Sequence, residues 1–168
     1  MIKDKLIKTA LEMGADHAVL FSIDDIAFDT RTILKCMFGC TDWGKGHTCP
    51  SRPGSLSVFD FQRVLKEYSW GVIVHSTDKK VSQDVSFAIE REAFLKGYYM
   101  AFSMSDCAIC ADCAGRSAKP CANPKKARPA FHSAGIDVFK TAGRFGLPIK
   151  TLRDESETQN WYSAVFVE

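Results

Sequence analysis

At 168 residues, 46% of them hydrophobic and 25% charged, the chain matches the size of one domain and carries enough apolar surface to order a core without disulfides or metal to offset smallness. Twenty-two basic against 20 acidic residues leave a net charge of only +2, which argues against a whole-chain basic surface for nucleic acid or anionic membrane. Size and charge point to a single domain over 1–168, with no nucleic-acid and no membrane partner.

Ile2, Leu6, Ala10 and Met13 recur at helical spacing and Gly14 ends the run, predicting a first helix. Lysines at 3, 5 and 8 precede no export-type apolar stretch, and no run approaches bilayer-spanning length, so a cytoplasmic protein is expected. The apolar Ala18–Phe21 and the partly alternating Ile26–Leu34 flank Asp24 and Asp25, and read as two extended segments around a turn. The stretch 51–57 is rich in Ser, Pro and Gly and reads as loop, after which Val58, Phe61, Leu65 and Tyr68 set the rhythm of a second helix. Trp70–His75, short and apolar, reads as a buried strand. Ser82–Phe102 places Val85, Ala88, Ile89, Leu95, Tyr99 and Phe102 on one wide face, predicting a long third helix with Ser82 as N-cap.

Cys107–Arg128 has no amphipathic period and needs an organiser other than apolar packing. Ile136–Phe145 predicts a short helix stopped by Gly146 and Pro148, and Ile149–Leu152 is expected to pair with Trp161–Val167 across the polar 154–160. This order points to an α/β or α+β layered fold, a small sheet flanked by helices with two cysteine-rich loops.

The cysteines carry the chemistry. Seven cannot all pair within one chain, and a reducing compartment does not keep structural disulfides, so thiol or metal chemistry explains them better. Cys107, Cys110, Cys113 and Cys121 form a C-x2-C-x2-C-x7-C pattern. Three thiols at that spacing let one short loop wrap a [4Fe–4S] cluster, as in ferredoxin-type runs, whereas a single zinc ion more often takes two ligands from each of two segments. Cys36, Cys40 and Cys49-Pro50 form a second group, with Gly39, Gly44 and Gly46 to let the backbone fold around a site. Two four-thiolate clusters need one cysteine more than the chain has, so one site takes a non-cysteine ligand, binds solvent or substrate, or receives a ligand from another chain. His47 completing a Cys3His site would lean towards zinc. The partition stays open at this level, because Cys49 or Cys121 can cross between groups.

Lys35-Cys36-x3-Cys40, Thr48-Cys49-Pro50, Gly97-Tyr98-Tyr99-x-Ala101-Phe102, the Cys107 run, Cys121, Arg128-Pro129 and Gly135-Ile136-Asp137-Val138-Phe139 together resemble the prokaryotic family of predicted metal-binding proteins known as domain of unknown function 2284. The resemblance spans nearly the whole chain and implies a cysteine-ligated metal centre, with no established reaction attached. Ser51 and Trp43 stand where relatives commonly have a second proline and a tyrosine.

Other features weigh less. Gly39 to Gly46 nearly spells a phosphate-binding P-loop but lacks the Ser or Thr after Lys45 and the helix that should follow. Lys119, Lys125, Lys126 and Arg128 beside Cys121 read either as a solvated basic loop or as cations that ease burial of an anionic cluster or dock an acidic redox partner. His17 and His75 read as edge or packed residues, and His132 as a possible lining of the site. Tyr98, Tyr99, Phe102 and Trp43 read as core or cluster-shielding aromatics. No catalytic acid or base is identified. The expected function is a metal-binding, iron–sulfur protein for one-electron transfer or redox support of a partner enzyme; the alternative is a structural zinc-binding interaction module.

Overall fold

A computed structural model describes residues 1–168. The four strands β1 (His17–Ser22), β2 (Trp70–Ser76), β3 (Phe102–Ser105) and β4 (Trp161–Phe166) form one sheet in the order β1-β2-β4-β3, every neighbouring pair antiparallel. Helices α1 (Ile2–Glu12), α2 (Thr32–Gly39), α3 (Val58–Leu65), α4 (Lys79–Leu95) and α5 (Val138–Arg144) surround it. The expected mixed fold, a small sheet flanked by helices, is the one observed.

Side chains alternate across a strand, so each face of the sheet builds its own apolar layer. Val72 and Val74 of β2 and Val165 of β4 pack with Leu6 and Ala10 of α1 and Val85, Ile89 and Ala93 of α4. Phe21, Ile73, Met104, Ala164 and Phe166 face the other way, onto Leu65 of α3, Ala142 of α5 and the segment holding Phe131, Ala134 and Ile136. No cysteine belongs to either layer.

Three expectations need correction. Ile26–Leu34 is not extended throughout: after a single bridge from Phe28 to Ile136, the Asp29 carboxylate accepts the Arg31 N–H in a turn, and α2 begins at Thr32. The long third helix starts and ends earlier. Asp78, not Ser82, caps α4, accepting the N–H groups of Lys80 and Val81, while Ser82 is buried in the helix and donates to the Ser163 hydroxyl. At the other end Gly97 adopts φ +96°, a conformation that turns the chain out of the helix and leaves Phe102 free to begin β3. Finally, 149–152 forms no strand; β4 instead pairs on both sides, with β2 and β3. No helix is long and apolar enough to cross a membrane.

Candidate metal centre

All seven cysteines line one cavity of about 440 Å³. Cys36 and Cys40 come from α2 and its C-cap, Cys49 from the loop that follows, and Cys107, Cys110, Cys113 and Cys121 from the long loop after β3. The C-x3-C spacing is one helical turn, so Cys36 and Cys40 fall on one face of α2, which packs on the turn His132–Ala134. The helical period was present in this stretch of sequence, but the β-branched residues preceding it concealed it.

The long cysteine loop is anchored to the sheet scaffold at both ends. Ser105, the last residue of β3, donates its N–H to the Pro129 carbonyl at 3.1 Å, closing the base of the long loop. Gln83 of α4, only 1% exposed, donates from Nε2 to the Ser105 hydroxyl at 3.1 Å and accepts the Ala108 N–H at Oε1 at 2.8 Å. The helix thereby fixes the backbone beside Cys107. At the loop's exit Arg128 donates to Glu90 at 2.7 Å, to the Ser103 hydroxyl at 3.1 Å and to the carbonyls of Lys125 and Ala127, with its guanidinium near the Phe87 and Phe102 rings.

The two segments also meet each other. Arg116 grips the Asp42 carboxylate through two bonds, 3.0 and 2.8 Å, and holds that acid below its ordinary pKa by hydrogen bonding and charge. Gly115 lies so close to Lys45 that a Cβ there would meet the Lys45 carbonyl oxygen at 2.2 Å. Backbone contact at that range excludes every other residue type without movement.

The thiols sit in different surroundings. Cys36 is 4% exposed, and burial, with further contributions from Cys40, Cys49 and Asp106, raises its pKa against the Ser133 hydroxyl bond that lowers it. At Cys49 burial opposes ionisation, but the Ser51 hydroxyl at 3.0 Å, the Gly44 N–H at 3.2 Å and the charge of Arg52 prevail and lower the pKa. Cys40, Cys107 and Cys110 are exposed. Asn123 donates its backbone N–H to Cys121 Sγ at 3.4 Å and its side-chain Nδ2–H to Cys110 Sγ at 3.3 Å.

His47 and His132 also line the cavity, as do Trp43, Asp42, Asp106, Ser133 and Asn123. Arg52 bonds His47 at Nδ1 and at its backbone carbonyl, which leaves Nε2 as the ring nitrogen open to a metal. Of the four aromatics read as core or shielding, only Trp43 reaches the cavity. Tyr98 packs edge-on against Trp70, Phe102 joins the sheet's apolar layer, and Tyr99 is exposed. Of the four basic residues near Cys121, Arg128 is committed to Glu90, whereas Lys119, Lys125 and Lys126 are exposed. His75 is buried between His17 on β1 and the side-chain Oδ1 of Asn160, and does not line the cysteine cavity. Asp42, Gln83 and Asn123 escaped the sequence reading because polar residues in a loop or on a helix carry no period.

The donor set fits a thiophilic centre: seven sulfurs against two carboxylates and two imidazoles around one cavity. No three His, Cys, Asp or Glu side chains are gathered tightly enough to hold a single metal ion as they stand. Residues 19–167 match the family described as predicted metal-binding protein (DUF2284), and the chain belongs to that family. No curated protein and no solved structure matches it.

Proposed function

We propose that, within this family of predicted metal-binding proteins, the chain is an iron–sulfur protein for one-electron transfer or redox support of a partner enzyme. Cys107, Cys110, Cys113 and Cys121 would hold a [4Fe–4S] cluster, and Cys36, Cys40 and Cys49 a second, three-thiolate site. The observation that carries this reading is the convergence of two sequence-distant cysteine segments on one cavity. A second supports it. Cys107, Cys110 and Cys113 put three thiols at C-x2-C-x2-C spacing in one loop, more than the two that a zinc site usually takes from one segment.

When bound, such clusters supply one-electron redox chemistry. The chain's residues would set its terms. Ser51, Gly44 and Asn123 donate towards sulfur, and Trp43 with the buried wall around Cys36 limits water. The exposed Lys119, Lys125 and Lys126 leave cationic charge beside the loop for an acidic redox partner.

Protein purified without oxygen should be brown, with iron and acid-labile sulfide in comparable amounts and a paramagnetic signal on reduction. Colourless protein holding only zinc would overturn the reading in favour of a structural zinc module. Serine at Cys107, Cys110 or Cys113 should remove the iron of one cluster and leave any signal from the Cys36 group.

A further inference from the structure

We propose that Asn123 is a positioning residue that commits Cys110 and Cys121 to the same cluster and raises its reduction potential; this rests on the iron–sulfur reading above. Asn123 spans both sulfurs, its side-chain amide reaching Cys110 Sγ at 3.3 Å and its own N–H reaching Cys121 Sγ at 3.4 Å. Cys110 lies in the tight cysteine run and Cys121 beyond the turn Ala114–Ser117, so sequence spacing alone leaves their pairing open. One small residue bonded to both removes that freedom.

The direction of the amide follows from the sulfur's charge. A ligating cysteine is a thiolate, which accepts hydrogen bonds and donates none, so only the –NH2 end of Asn123 can face Cys110. Donors aimed at cluster sulfurs stabilise the more negative, reduced form and move the potential upward. Asn123 also lines the cavity and is half-buried, while its partner Cys110 is exposed.

The test is a redox titration of oxygen-free protein, followed by paramagnetic resonance, on the wild type, Asn123→Ala and the near-isosteric Asn123→Asp. The Ala variant should keep its iron and show about a tenfold lower reduced-to-oxidised ratio at fixed potential, or about 59 mV for one electron. The Asp variant should shift further in the same direction, because it replaces a donor with an anion. Wild-type protein without iron would overturn the iron–sulfur reading and this inference with it. Iron-loaded variants at the wild-type potential would overturn this inference alone. Loss of iron from both variants with the fold retained would make Asn123 a structural support and remove its tuning role.

Discussion

At Gly115 the backbones of the two cysteine segments touch. A methyl group there would drive the Lys45 carbonyl away, and the Asp42–Arg116 pair is too exposed to pull the loops back. Gly115→Val should therefore lower bound iron severely while leaving the far-ultraviolet circular dichroism unchanged; iron analysis alongside the spectrum checks both halves. The cysteines themselves were legible in the sequence because spacing along a loop is itself a chemical signal. The residues that arrange them were not. Gln83 and Asn123 act through the direction of single amide groups, which only the folded backbone defines.

The helix α4 does more than cover the sheet. Its buried Gln83 satisfies both Ser105 and the backbone of Ala108, so Gln83→Ala leaves two groups without a partner and should cost about 1–3 kcal/mol, measured by denaturant unfolding. The same variant should hold iron less well, since Ala108 adjoins Cys107. Arg128→Ala removes the guanidinium from Glu90, whose side chain is 21% exposed and keeps the Ser103 N–H as a donor; about 2 kcal/mol is expected, below the penalty of about 3–5 kcal/mol for a wholly buried pair. Helices α1, α3 and α5 and strands β1 and β2 were legible because each shows a period or a dense apolar run. The ends of α4 were not, since its apolar face runs on through Tyr99 and Phe102 and only the backbone turn at Gly97 separates helix from strand. The partners of β4 were equally hidden. A central strand pairs with β2 and β3, which lie far from it in sequence, and local pattern favoured the nearer 149–152.

Across the whole molecule, the apolar layers on the two faces of the sheet hold the fold without any contribution from the cysteines. Phe166, fully buried, pairs with Gly71 and Phe102 in the sheet and stacks edge-on with Phe21, so Phe166→Ala should cost about 3–5 kcal/mol. Stripping the metal, by contrast, should leave a cooperative thermal transition near that of the loaded protein, with increased amide exchange confined to 40–50 and 106–128. A metal-free chain that lost its cooperative transition would contradict that division.

Cys40, Cys107 and Cys110 line the cavity and are open to solvent, so thiols that the proposed cluster would use face solution. The same doorway admits dioxygen. Exposure to air should therefore bleach the protein long before it melts.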